Sequence, residues 1–552
     1  METRHPRERK VKLSDKTAPD FSQAVEHHRS GRFREAERIY RAILDERPDD
    51  SDALRLLGVI AHQEGRNEAA VELFSRALTN NRDDAVCFNN LGSALHALGR
   101  IDEAVKAYRS ALRLNPGYAM AHFNLGNALR DRDEIDDAVS AYRSAVEIDP
   151  GYAEAQNNLG NALRRRGDKD AALVAFRAAV AADPRSGQFL NNLAGMLFER
   201  GSIEQGVEAF EALVRIEPDN PAACNHLGIA LHLQGRLEDS VSAFRNAIAI
   251  RHDYADAHNN LGNTLKAQGK DEAATESYKG ALEIDPRNVN ARFNLAMALY
   301  RDDNLDPAAR ELRLAVEADP GHSLARFHLG MIVDRQGDDE LAGDHFAELI
   351  ERAPENEYFL DSWRYAKSRS APTTRFFTSA FETFQYAMDR ARGDGMVLEF
   401  GVRYGTSINL IATLTDQPVH GFDSFEGLPE AWGDNPAGTY TTRGCLPEVA
   451  PNVELHVGWF ADTLPRLVAE HPDPVRLINV DCDIYSSTRT IFDHLGERIG
   501  TGTVIVFDEY ICNPNWREDE YRAFQEAVQR YAWRYEYLAF NFHSRQTAVR
   551  II

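Results

Sequence analysis

The sequence predicts a multidomain chain: an all-α superhelix of repeated helix pairs, followed by an α/β domain built on a parallel sheet. Three observations carry this reading. A small residue recurs ten times at a fixed step of 34 residues, and that phase fails after residue 355. From Val397 onward, short apolar runs alternate with helical stretches, and several of the runs close on an acid.

At 552 residues the chain is too long for one core, and a hydrophobic content of 43% with 27% charged residues is ordinary for a globular protein. A formal net charge of −23 repels nucleic acid and anionic membrane surfaces, so neither is expected as a partner. No apolar run approaches the roughly 18 residues of a membrane span. The basic start, METRHPRERKVKLSDK, is not followed by an apolar segment, and residues 1–16 are read as a disordered lead-in rather than a secretory signal. Five cysteines without C-x-x-C spacing fit a reducing compartment, so the expected location is cytoplasmic.

The recurring small residue stands at Ala24, Gly58, Gly92, Gly126, Gly160, Ala194, Gly228, Gly262, Ala296 and Gly330. Sixteen residues after each comes Tyr or Phe, with Leu312 as the one departure, and a proline closes eight of the ten units. Two helices approach closely only where a small side chain faces a large one, and proline stops the second helix. The pattern resembles the tetratricopeptide repeat over residues 17–355, and the resemblance implies a superhelix with a long concave groove. Two residues before the small position stand Asn90, Asn124, Asn158, Asn192, Asn260 and Asn294. The arrangement is similar to the asparagine ladder of O-GlcNAc-transferase repeats. Such amides can donate to and accept from an extended peptide, which makes a protein or peptide partner the expectation for the groove. The alternative is that the amides only satisfy neighbouring repeats.

Residues 356–375 read as a capping helix and linker, with the second domain over 376–552. MVLEFG, VHGFD, VELHVG, RLINVDCD and TVIVFDEY are five candidate strands of a parallel sheet with helices on both faces, whose sites form at the strands' carboxyl ends. LEFGVRYGTSINLI sets Glu399, Gly401 and Gly405 at a strand-to-helix turn, where glycine admits a ligand close to the backbone. Asp423, followed by Ser424, ends the next strand 24 residues after Glu399, where an acid can bind ribose hydroxyls. The E-x-G-x-x-x-G spacing favours S-adenosylmethionine over NAD. His456, in VELHVGWF, reads as a core or surface histidine, and Cys482 as core.

VLEFGVRYGTS, GFDSFEGLPE, GWFADTLP, VDCDIYSST and VFDEY occur in order and resemble the macrocin-type sugar O-methyltransferases, a family that includes the novobiocin-pathway enzyme. The resemblance implies a Rossmann-like class I methyltransferase domain using S-adenosylmethionine and Mg²⁺, with the donor on Glu399, Gly401, Gly405, Asp423 and Ser424. Asp481, Asp508 and Glu509 close the fourth and fifth strands. Together they would repel one another unless a hard cation such as Mg²⁺ lay between them. Without a metal, they would have to pair with Arg489 or Arg403. Asp481 and Asp483 are the candidates for the base that takes the acceptor's proton. The expected function is O-methylation of a sugar or glycan hydroxyl, with the repeats recruiting a carrier or partner. A protein acceptor delivered along the groove, and a scaffold with a degenerate methyltransferase domain, are the other readings. A homo-oligomer is compatible with either part of the chain. Residues 429–446, rich in Gly, Pro and Thr, are expected to cover the acceptor pocket.

Overall fold

The computed structural model describes residues 20–433 and 435–552, so the lead-in at 1–16 lies outside the described residues. The chain divides into two compact units, one ending at Arg200 and one running from Gly201 to Ile552. No helix among the described residues is long and apolar enough to cross a membrane.

The first unit consists of helices from Phe21–Arg29 to Gly187–Glu199, at the repeat spacing read from the sequence. The small-against-large rule is visible at atomic distance. A Cβ placed on Gly92 would lie 2.5 Å from the Tyr108 ring, and one on Gly126 would lie 2.6 Å from Tyr142. Both rings are fully buried. Some helix starts are fixed by side chains that accept from orphan amides, as where Asp84 accepts from the Cys87 N–H at 2.9 Å.

The second unit begins with the helix Ile203–Ile216, continues through the repeat helices to Asp339–Arg352, and passes through Glu357–Arg369 into an eight-stranded sheet. The strands are β1 (Arg375–Phe377), β2 (Met396–Phe400), β3 (Val419–Asp423), β4 (Val453–Val457), β5 (Val475–Val480), β6 (Val504–Phe507), β7 (Tyr535–Asn541) and β8 (Thr547–Ile551). Their order is β1-β7-β8-β6-β5-β2-β3-β4. The five strands expected from the sequence are β2 to β6, all parallel to their neighbours among themselves. The sheet is nevertheless mixed rather than parallel, because β8 pairs antiparallel with both β6 and β7. A tight turn at the end of β7 returns the chain beside its own strand, and only an antiparallel ladder can follow so short a connection.

The stretch read as a linker is part of the core. Trp363 is 3% exposed and meets Phe376 and Phe542 edge-on at 5.5 and 5.6 Å. Thr374 Oγ1 donates to the Tyr537 carbonyl at 3.0 Å. One continuous apolar cluster therefore runs from Phe293 and Leu329 of the late repeats through Trp363 into β2, β5 and β6. The aromatic content of YFLDSWRY explains this, since such rings are rarely left in water.

Candidate active site

The carboxyl ends of β2, β3, β5 and β6 are stitched side by side. The Gly401 N–H donates to the Phe422 carbonyl at 2.9 Å, Asp481 N–H to Phe400 at 2.8 Å, and Asp508 N–H to Val480 at 2.9 Å. Gly401 has φ +95°, and a Cβ there would lie 1.7 Å from the Asp481 carbonyl oxygen, so only glycine allows these ends to close. Above them opens a cavity of about 640 Å³ lined by Gly401, Ser407, Asp423, Ser424, Asp481, Asp483, Asp508 and Glu509, among others. Gly405 does not line it. Gly405 forms the left-handed turn (φ +78°) before the helix Thr406–Ala412.

Asp423 is held as an acceptor, its carboxylate taking N–H bonds from Arg403 at 2.8 Å and Phe425 at 2.7 Å. Glu399 is fully buried beneath the cavity, where Ser407 Oγ donates to its Oε1 at 2.7 Å. Its Oε2 has no partner, and burial pushes its carboxyl up to about 8. Glu399 thus reaches the cavity through Ser407. A cavity of this size, floored by glycine and carrying an anchored acid, fits an adenosine cofactor.

The acids form a denser cluster than the sequence suggested. Burial, followed by the Asp508 charge, holds Asp481 well above the carboxylate range. Asp508 is pushed up to about 7 by burial and then Glu509, and Asp483 to about 7 by burial and then Glu509. Glu520, at the start of the helix Glu520–Arg530, is a fully buried fifth member that sequence reasoning missed. Its Oε2 accepts from the Glu509 N–H at 3.3 Å, and its Oε1 has no partner. REDEYRAF gave no local sign that this acid turns inward.

Neither Arg489 nor Arg403 forms an ion pair with these acids, although the Arg403 charge opposes the upward shift of Asp483. Arg489 reaches Tyr485 and Asp493, and the Arg403 guanidinium lies over the rings of Tyr404 and Tyr440. Arg545, from the β7–β8 turn, instead donates to both oxygens of Glu509 at 3.1 and 3.2 Å, and Gln546 donates to Asp508 at 3.0 Å. Among the described residues, the ligand oxygens of Asp481, Asp508 and Glu509 do not gather within 4.8 Å of one another, whereas ring nitrogens of His420 and His456 and a carboxylate oxygen of Glu454 do. Asp481 and Asp508 remain a donor set suited to a hard divalent cation: both are half-buried, offer only oxygen, and are kept protonation-prone by desolvation and then by neighbouring carboxylates. Glu509, tied to its guanidinium, is the least suited of the three.

Backbone strain concentrates here. Arg403 (φ +47°), Phe425 (+58°), Tyr440 (+67°) and Asp483 (+62°) all adopt the left-handed region at or beside the cavity. Tyr440 and Pro429, from the expected covering segment, line the cavity, and Trp432 Nε1 donates to Asp519 at 3.0 Å. The late repeats also take part. Leu233 lines the cavity, Tyr404 donates to Glu204 at 3.1 Å, and Arg443 donates to Ser202 at 2.6 Å.

The Asn ladder is engaged within the repeats. Nδ2 of Asn124 donates to Asn89 at 3.0 Å, Asn158 to Asn127 at 2.9 Å and Asn192 to Asn157 at 2.8 Å in the first unit. In the second unit, Asn260 donates to Asn225 at 3.1 Å, and Asn294 donates to Asn259 at 3.0 Å and Asn263 at 2.9 Å. Each of these amides spends an N–H on the preceding repeat. Asn90 is half-buried in the same register.

The repeats and the cavity at the strand ends define a tetratricopeptide-repeat protein carrying a methyltransferase domain. Tetratricopeptide-repeat models match residues 21–85, 89–153, 157–221 and 293–357, with a further repeat model at 230–269 and 262–303. A methyltransferase-domain model matches 398–510. The chain is 30% identical over 182 residues to 8-demethyl-8-(2,3-dimethoxy-alpha-L-rhamnosyl)-tetracenomycin-C 4'-O-methyltransferase of Streptomyces olivaceus, covering 28% of this chain and 65% of that one. It is 30% identical over 129 residues to demethyldecarbamoylnovobiocin O-methyltransferase of Streptomyces niveus, covering 20% and 48%. The chain thus spans less than two thirds of the length of either relative. Solved structures similar to the repeats include MamA (27% identity, TM-score 0.28, 29% of this chain and 95% of that one). Another is YrrB, described as a TPR protein with an unusual peptide-binding site (20%, 0.29, 40% and 96%).

Proposed function

We propose that the second unit is an S-adenosylmethionine-dependent O-methyltransferase acting on a sugar or glycan hydroxyl, with the repeats recruiting the acceptor's carrier or another protein partner. The observation that carries this is a single cavity lined by both the donor-side residues Gly401, Asp423 and Ser424 and the acids Asp481, Asp483 and Asp508. The methyl donor supplies an electrophilic carbon when bound. Asp423, fixed by two backbone N–H groups, would accept from the ribose hydroxyls, and Gly401 lets the donor approach the backbone. Asp481 and Asp508 would hold Mg²⁺, which acidifies and orients a neighbouring hydroxyl. Arg545 holds Glu509 to one side, and Gln546 fixes the orientation of Asp508.

A sugar hydroxyl does not ionise at neutral pH, so a base must take its proton as the methyl transfers. Asp483 suits the role, because it lines the cavity and its carboxyl titrates near neutrality, at about 7. Pro429 and Tyr440 would help exclude water.

One observation favours a large acceptor over a free sugar. Leu233, on a repeat helix, is 48% exposed and lines the same cavity. An acceptor hydroxyl inside would bring its carrier against the repeats. Methyl-labelled donor, incubated with nucleotide sugars and glycosylated carriers in Mg²⁺ or EDTA, tests the reading. We expect Mg²⁺-dependent label on a sugar hydroxyl that is lost in Asp483→Asn. Label on a protein side chain, or none on any acceptor, would overturn it.

A further inference from the structure

His456 stands in a setting that a core or surface histidine does not require. In the β3–β4 ladder His420 pairs with Glu454 and Phe422 with His456. Since side chains two apart on a strand share a face, His420, Glu454 and His456 emerge together. The Phe422 ring stacks on His456 at 4.5 Å and on Phe400 at 4.9 Å, which keeps the imidazole plane in place. Nδ1 of His420 lies 3.1 Å from Nε2 of His456 and 3.4 Å from Oε2 of Glu454. The three ligand atoms all fall within 4.8 Å of one another.

A tetrahedral zinc ion with N and O ligands at about 2.0–2.1 Å sets neighbouring ligand atoms about 3.3 Å apart, and the two close distances bracket that value. Two imidazoles with one carboxylate form a donor set that selects zinc-class metals over Mg²⁺. Burial lowers the pKa of both histidines, so their lone pairs are available near neutrality. The Glu454 side chain is 60% exposed, which gives a metal a route in and leaves a fourth position to water.

We propose that His420, Glu454 and His456 bind zinc or another divalent transition metal, tying the edge strand β4 to β3. The site is separate from the carboxylates at the strand ends and does not depend on the methyl-transfer reading. Its consequence would reach the cavity. β4 runs directly into Trp459, Phe460 and Ala461, which line the cavity, so a metal at the strand would fix that wall.

The test uses the full-length chain without a histidine tag, stripped with chelator and titrated with Co²⁺ as a spectroscopic stand-in and then with Zn²⁺. We expect one equivalent of Co²⁺ to give the intense visible absorption of a tetrahedral site, Zn²⁺ to displace it, and Zn²⁺ to raise Tm. His456→Gln should abolish all three effects. Glu454→Gln, at an exposed position that does not threaten folding, should weaken zinc binding by at least about tenfold. Asp508→Asn should leave the signal intact. The proposal is overturned if the wild type shows no tetrahedral absorption. It also fails if the absorption survives both His456→Gln and Glu454→Gln, or disappears in Asp508→Asn. Absence of absorption would mean that the two imidazoles only share a hydrogen bond.

Discussion

Asp483 and Glu399 illustrate how one chemical group, the carboxyl, is placed in different settings by the fold. Asp483 lies on the cavity wall in a left-handed conformation and titrates at about 7. If it is the base, the rate of methyl transfer rises with pH and then levels, because only the carboxylate accepts a proton, and Mg²⁺ held beside it would move that rise below the metal-free value of about 7. Asp483→Asn should remove that limb and lower kcat by about 10²- to 10⁴-fold, with donor affinity unchanged, as pH–rate profiles and calorimetry would report. Glu399 sits beneath the cavity with one oxygen orphaned. Its folded-state value of about 8 lies above the unfolded one, so the native state binds its proton more tightly. Stability from this group is therefore full at acid pH and is lost as pH rises through about 8. Glu399→Gln should flatten the fall in Tm between about pH 4.5 and about pH 8, measured without donor or metal. The cavity acids Asp481, Asp483 and Asp508 were legible because each stands just beyond the end of an apolar strand. Glu520 and Arg545 were not, since their roles depend on a helix start and a turn brought back by tertiary folding.

At the scale of elements, two kinds of glycine make different demands. Gly126 gives the Tyr142 ring its place, and Gly126→Ala should destabilise the repeats by about 1–3 kcal/mol in urea unfolding, the usual cost of overpacking. Gly401 closes β2 against β5, and Gly401→Ala should disable donor binding because its Cβ would collide with the Asp481 carbonyl. The repeat spacing was readable because every unit obeys one local rule at one fixed step. The strands β2 to β6 were readable for a similar reason, each being an apolar run with a clear end. β7 and β8 were not. YEYLAFN is an aromatic run without alternation, TAVRI is short, and their antiparallel pairing is a non-local choice. The Asn ladder was visible, but its partners were not. Asn89, Asn127, Asn157, Asn225, Asn259 and Asn263 accept across the repeat boundary, which a single unit's pattern does not reveal.

At the scale of the whole molecule, the change in sequence grammar near residue 355 does not coincide with the boundary between compact units, which falls at Arg200. The late repeats share a core with the sheet through Trp363. Trp363→Ala should cost about 3–5 kcal/mol and should lower the unfolding midpoint of the late repeats and the sheet together, read by fluorescence and circular dichroism. The central claim is that the cavity at the strand ends binds the methyl donor through Asp423. Isothermal titration of S-adenosylmethionine into the full chain, with EDTA and then with Mg²⁺, tests it most directly. We predict one donor per chain, bound equally well with and without metal, and at least tenfold weaker binding in Asp423→Ala. No heat of binding under either condition, or undiminished binding by Asp423→Ala, would contradict it.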